Sequence, residues 1–412
     1  MNVAVLNLYY GGESIGTGLV AAEVAAALAE AGHRVRVVTT TADYGRLGPC
    51  TLSAGNGDAH APGVRVSRIP VPFGIAGSRL RRSLTYGAFL LGAVPVGLRS
   101  GRAEVVLSIV PPSVAALPAF LLSRCLGARL LLDVEDLYGV NDFGGSIAAR
   151  FNAWLERRML RRADGVRVLT CEMKERVRRV AAPAGGVHVV PVWTDPEAIH
   201  DRGDGRAFRR RHGLEGMFVL LHCGNVGELG GQAPILECAE HLAAEPVRFV
   251  FVGGGYGVDR LRRTATGRGL ENVLFVDRVP RAEISDMFAA GDVGVVTLDS
   301  RIRRSSTPSK TFAYMAAGLP VLAALEAGNA AAVAVTTADA GWVVPPGSAG
   351  ELLAAIGRAR SAAPDDRARM GRAGRAHVVA SCNRRECLDR FVRLVESVGR
   401  TSARRGSGGF RK

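Results

Sequence analysis

Residues 305–324 read SSTPSKTFAYMAAGLPVLAA. The stretch spells a helix start, a short helix and a strand. Thr307 is the expected N-cap, and Pro308 occupies the first helical position, where its fixed φ helps and no N–H is lost. Phe312, Met315 and Ala316 recur at helical spacing. Gly318 then closes the helix, and Leu319-Pro320 leads into the apolar run Val321–Ala324. A short helix feeding a buried strand is the unit of an α/β fold. The first turn also carries the hydroxyls of Ser306, Thr307 and Ser309 and the ammonium of Lys310, with Arg301, Arg303 and Arg304 just upstream. Free N–H groups, hydroxyls and a cation at a helix start suit an anion, most often phosphate. The plainer alternative is a solvated cap beside an ordinary basic patch.

The same grammar recurs on both sides of this stretch. Val3–Asn7 reads as a strand, Leu19–Ala31 as an Ala-rich helix closed by Gly32-His33, and Val35–Thr39 as a second strand. That is a βαβ unit. Gly16-Thr17-Gly18-Leu19-Val20-Ala21 fits G-x-G-x-x-A. A dinucleotide site, however, requires the glycines to follow the strand tightly and an acidic residue to end the second strand. Here a long loop intervenes and the second strand ends in Thr39-Thr40-Thr41. Residues 50–72 read as loop. Ser78–Arg102 mixes arginines with Leu84, Phe89, Leu90 and Leu91, giving a basic amphipathic helix that packs one face on the core or meets a membrane surface. Val105–Ile109 and Arg129–Val134 are further strands, the latter ending in Asp133, Glu135 and Asp136, where ligands of parallel sheets bind. His188–Val192 is the last strand before Trp193-Thr194-Asp195-Pro196, a domain boundary. A second series follows: strands Phe218–His222, Val247–Val252, Val273–Val276, Val293–Leu298 and Gly341–Val344, and helices Leu236–Leu242, Glu351–Arg360 and Ala380–Val398. Residues 401–412 form a basic tail expected to be disordered.

The chain has 412 residues, too many for one ordinary core. Its seven cysteines include no C-x-x-C pair, which argues for a reducing compartment and against a zinc or disulfide framework. Met1-Asn2 runs straight into a strand, so a secretory leader is not expected, and no apolar run is long enough to span a bilayer. The net charge of +15 favours anionic partners. Nucleic acid is not favoured among them: aromatic content is 6% and no RNA-binding aromatic motif, zinc finger or basic zipper is present.

Six segments in order, covering Met1 to about Val379, resemble the retaining nucleotide-sugar glycosyltransferases of family 4, and most closely the colanic-acid-type branch. They are Gly16–Thr40, Val134–Tyr138, Val190–Asp195, Cys223–Gly227, Asn272–Ala290 and Pro308–Val321. The resemblance implies the GT-B fold, two tandem Rossmann-like domains with a cleft between them. Residues 1–194 would bind the acceptor and 195–379 the donor, with 380–400 crossing back to the first domain. It implies transfer of a sugar from a nucleotide-diphosphate donor, UDP-sugars among the candidates, to a hydroxyl acceptor. The product would be an envelope or exopolysaccharide precursor or a glycosylated secondary metabolite. Retention of configuration, no bound metal and no further cofactor are implied as well. So is a cytoplasmic protein, with peripheral association at the inner face of the membrane as an added expectation. On this reading Gly12, Gly16 and Gly18 and the loop residues Gly224, Asn225 and Gly227 approach the donor. Lys310 holds the diphosphate with help from Ser309, Arg278 and Val279 lie near the base, and Asp136 serves the acceptor hydroxyl as catalytic base or hydrogen-bond acceptor. His222, inside an apolar strand, reads as a core residue.

The sequence departs from the family where two glutamates are expected: Ser305 and Ala313 stand there instead. Glu228 and Leu229 occupy positions where a phosphate-binding cation is often found, and Gly139 replaces a proline. Three other readings stand beside the enzyme: a non-catalytic glycosyltransferase-like partner protein, which the missing glutamates would explain; an NAD-dependent oxidoreductase, which would need the G-x-G-x-x-A match; and a nucleic-acid-binding protein, which the charge would explain.

Overall fold

The computed structural model describes residues 1–11, 16–42, 61–71, 79–111, 113–137, 147–227, 230–255, 257–302 and 306–400. Gly12, Gly139, Glu228, Leu229, Arg303, Arg304, Ser305 and the tail from Thr401 lie outside them.

The chain folds into two compact units. One comprises Met1–Pro191 and the chain from Glu386 onward, and the other Val192–Arg385. The first holds a seven-stranded parallel sheet built from β1 (Asn2–Leu6), β2 (Arg34–Thr40), β3 (Val64–Ile69), β4 (Val105–Val110), β5 (Arg129–Val134), β6 (Gly165–Val168) and β7 (Val187–Val189). Its order is β3-β2-β1-β4-β5-β6-β7. The second unit holds β8 (Phe218–Cys223), β9 (Val247–Val252), β10 (Val273–Val276), β11 (Val293–Thr297), β12 (Val321–Ala324) and β13 (Gly341–Val344), in the order β10-β9-β8-β11-β12-β13. Both are doubly wound. The order reverses between β1 and β4 in one sheet and between β8 and β11 in the other, and such reversals open a crevice at the carboxyl ends of the strands.

Burial on both faces explains the composition of the central strands. β4 is VVLSIV with every residue buried, and β11 is VGVVT, likewise buried throughout. The two-residue alternation of β8 splits its side chains between cores: Val219 and Leu221 join Phe288, Phe312 and Met315 on one side, and Leu220 joins Phe249, Phe251 and Ile356 on the other.

Three expectations need correction. The 50–72 stretch contains an edge strand, β3, paired in parallel with β2 from Val35↔Val64 to Thr40↔Ile69. Its arginines and serine interrupt the apolar positions Val64, Val66 and Ile69, because an edge strand with one neighbour needs few of them. Ala380–Val398 is not one helix. A helix Pro364–Ser381 ends first, and a second, Arg384–Arg400, begins after Cys382-Asn383. At that break Thr194 receives the Arg384 N–H on its carbonyl and donates its own N–H to Cys382, so the outgoing and returning chains pair. Lastly, helices Ile147–Arg162 and Cys171–Val180 fill what had read as unassigned chain.

Candidate functional site

The second unit gathers most of the expected donor residues at the β8/β11 reversal. The helix Lys310–Ala316 starts two residues later than its sequence suggests, with Ser309 at the cap and Pro308 buried just ahead. Neither Thr307 nor Pro308 is therefore part of the helix, and Ser309 is exposed, with no side-chain cap hydrogen bond. Tyr314 anchors this short helix. Its ring is fully buried, packs edge-on against Phe288 at 5.4 Å, and its hydroxyl accepts the N–H of Cys223 at 2.6 Å. Gly294 in β11 makes the room, since a β-carbon there would stand 2.6 Å from the ring.

Anchored in this way, Lys310 points at the end of β8. Its Nζ lies 3.0 Å from Nε2 of His222, and a β-carbon at Gly224 would lie 3.8 Å from the same nitrogen. Burial lowers the Lys310 ammonium to about 8, opposed by the nearby Cys223 thiol. Burial, and then the Lys310 charge, hold His222 well below its usual range, so its imidazole is neutral. A neutral ring that accepts at Nε2 keeps its proton on Nδ1, and that nitrogen is buried without a partner. His222 is thus more than the core residue its strand suggested: it is the acceptor that orients Lys310. Burial also raises the Cys223 thiol to about 11, which keeps it protonated.

Adjacent loops complete the cluster. A β-carbon at Gly253 would fall 2.4 Å from the Gly224 carbonyl oxygen, and Gly253 adopts φ 132°, so only glycine lets these loops approach. Asn225 Oδ1 lies against Gly255, and the guanidinium of Arg278 lies beside Gly254. Arg278 is exposed, while Val279 is half-buried against the core. The loop offers fewer free donors than expected. The N–H of Gly224 is spent on Val252 and that of Val226 on Gly254, each at 2.8 Å, because the neighbouring loop needs them. Ala313 is half-buried on the same helix as Lys310.

In the first unit, Gly16 caps the helix Thr17–Glu30 at φ 65°, and Gly18 is buried in its first turn. The loop from β1 to this helix is long, and Thr39 and Thr40 at the end of β2 are fully buried, with no acid there. Asn7 was not singled out from the sequence. It is fully buried at the carboxyl end of β1 and donates to the carbonyls of Tyr9 and Thr17, tying the strand to the helix start. The acidic run after β5 divides. Asp133 is fully buried and receives Arg167 at 2.7 Å, and Glu135 pairs with the same guanidinium. Burial raises the Asp133 carboxyl, against the pull of Arg167, and the charge of Glu135 adds to the rise. Arg167 also donates to the carbonyls of Val190 and Pro191 and lies 5.6 Å from the Phe391 ring. Two of the three acids are thus internal partners of an arginine, not ligand groups. Asp136, like Glu135, is half-buried beyond the strand end. Among the described residues no three His, Cys, Asp or Glu side chains gather as a metal-ligand set.

Residues 16–193 match the glycosyl transferase 4-like domain, and residues 218–361 match glycosyl transferases group 1. The chain is a glycosyltransferase of the GT-B type. It is 27% identical, over 77% of its length and 82% of the relative's, to WcaI of Escherichia coli K12, named as a colanic acid biosynthesis glycosyl transferase. Sucrose-phosphate synthase from Thermosynechococcus elongatus superposes with a TM-score of 0.78 at 19% identity, covering 96% of this chain and 98% of that one. Anabaena HepE, solved with UDP and glucose, gives 0.72 at 17% identity, covering 96% and 100%. These two structural likenesses speak to the fold. For this glycosyltransferase, the six segments quoted above belong to two tandem Rossmann-like domains, as their resemblance implied.

Proposed function

We propose that the chain transfers a sugar from a nucleoside-diphosphate donor to a hydroxyl acceptor, with retention, in assembling a bacterial surface polysaccharide or a glycosylated secondary metabolite. The observation that carries this reading is the Lys310 ammonium, half-buried beside Gly224 at the strand-order reversal of the second sheet. A desolvated cation there is suited to the diphosphate, whose negative charge grows as the bond to the anomeric carbon breaks. Arg278 stands on the next loop but one, in reach of the rest of the nucleotide. The acceptor oxygen forms the new bond to the anomeric carbon on the face the diphosphate leaves, and its proton passes to a base. Asp136 is our choice for that base, as a half-buried carboxylate just past the carboxyl end of β5. Uridine is favoured for the donor base by the UDP seen in HepE. No metal is assigned a role, so turnover should persist in EDTA.

The test is calorimetric titration with UDP, GDP, TDP and NAD, followed by NMR of the product anomer with the UDP-sugars that bind. Binding of UDP with transfer or slow donor hydrolysis supports the enzyme. UDP binding without either would favour the non-catalytic partner, which the replacements at 305 and 313 motivate. Binding of NAD alone would favour the oxidoreductase.

A further inference from the structure

The helix Ile147–Arg162 buries Leu155, Glu156, Met159 and Leu160. Its exposed side chains, from Arg150 onward, are two aromatic rings and five arginines, with no acid among them. Phe151 is 59% exposed and Trp154 50% exposed, and their rings stack at 5.7 Å. Its one carboxylate, Glu156, is turned inward and accepts from Ser113. Beside Trp154 a cavity of about 620 Å³ is rimmed by Arg157, Arg158, Arg161, Arg162 and, from the next helix, Arg179.

The surface continues sideways. The helices Arg79–Arg99, Ala116–Leu126 and Ile147–Arg162 pack side by side. The first exposes Leu84, Leu91 and Leu98 at seven-residue spacing, Leu91 by 81%, and the second exposes Leu121. Neither of these two helices contains an Asp or Glu. Large apolar side chains left in water on helices rich in arginine mark an interaction face. Aromatic rings with arginines on one helix face fit the boundary between lipid headgroups and acyl chains. A folded acidic protein would also answer the charge, but the apolar positions lie scattered over three helices, not gathered in one patch. A bilayer needs only a broad face.

We propose that this three-helix face docks on an anionic phospholipid surface. Phe151 and Trp154 enter the acyl boundary, and the arginine-rimmed cavity takes lipid phosphates. The inference uses the first unit alone and does not rest on the donor reading.

The test is co-sedimentation of the full chain with phosphatidylcholine vesicles, with and without phosphatidylglycerol. Binding is expected only to the anionic vesicles, weakening as salt is raised, with a blue shift of tryptophan fluorescence that is missing in Trp154→Phe. Arg157→Ala with Arg158→Ala should weaken binding roughly 25-fold, at about fivefold for each arginine. Phe151→Ser with Trp154→Ser should abolish the shift and weaken binding by about tenfold or more, with unchanged circular dichroism. Equal binding to neutral vesicles, no binding to either, or native-like binding by both double variants would overturn the proposal. So would tight binding to a single-stranded oligonucleotide with none to vesicles, which would make the face a nucleic-acid surface.

Discussion

At the scale of single residues, the second-unit cluster turns on one amine. Lys310→Met keeps the length and removes the charge. It should weaken UDP binding about ten- to a hundredfold, the worth of one charge-assisted contact, while in unfolding the about 1–3 kcal/mol lost by stranding His222 Nε2 is offset by removal of a desolvated charge. The burial that lowers Lys310 to about 8 also gives a pH signature. Below that value the amine is charged and ready for an anion; as pH rises through it, UDP affinity should fall, and the fall should be missing in Lys310→Met. Stability responds in the opposite sense. Between about 8 and its usual 10.5 the unfolded chain holds a proton that the native chain has released, so this group's contribution to native stability increases with pH. Ala313 offers a second residue-scale test. If no other acceptor serves the ribose, uridine and thymidine donors of one sugar should be used comparably, and Ala313→Glu should favour the ribonucleotide. A wild-type preference of several orders of magnitude would remove Ala313 from the ribose site. Lys310, Gly224 and Arg278 were legible because glycines and cations punctuate strand ends. The pairing of Lys310 with His222 was not, because 88 residues separate them and a histidine among apolar neighbours gives no sign of its partner. Asp133 and Glu135 misled for the same reason: nothing local shows that Arg167 claims them.

At the scale of elements, one phenol holds the helix of the candidate site to its sheet. Tyr314→Phe keeps the packing and strands the half-buried N–H of Cys223, which should cost about 1–3 kcal/mol in thermal or urea unfolding. Gly294→Ala should be worse, since its methyl would meet the same ring at 2.6 Å and neither strand nor helix can yield. A melting temperature unchanged in both variants would show that the helix is held by other contacts. Most central strands were readable as short apolar runs between glycines. β3 was not, for an edge strand needs few apolar residues, and the helices Ile147–Arg162 and Cys171–Val180 were not, for their arginines mask narrow apolar stripes.

At the scale of the whole molecule, the final helix Arg384–Arg400 belongs to the first unit. Phe391 stands over Arg167, and Val398 lies so close to Gly165 that a β-carbon there would meet it at 2.8 Å. Ending the chain before Glu386 should therefore lower the melting of the first unit and leave that of Val192–Arg385 in place, two transitions that scanning calorimetry separates. The backbone pairing of Thr194 with Cys382 and Arg384 has one more consequence. The second unit is a cassette, spliced into its host at a single doorway where entry and exit run abreast. Residues 192–385 should therefore unfold as one cooperative unit when expressed alone, and should be exchangeable for a relative's segment with both ends of the chain left in place. Sugar-donor choice should then travel with the cassette, and acceptor choice should stay with the host.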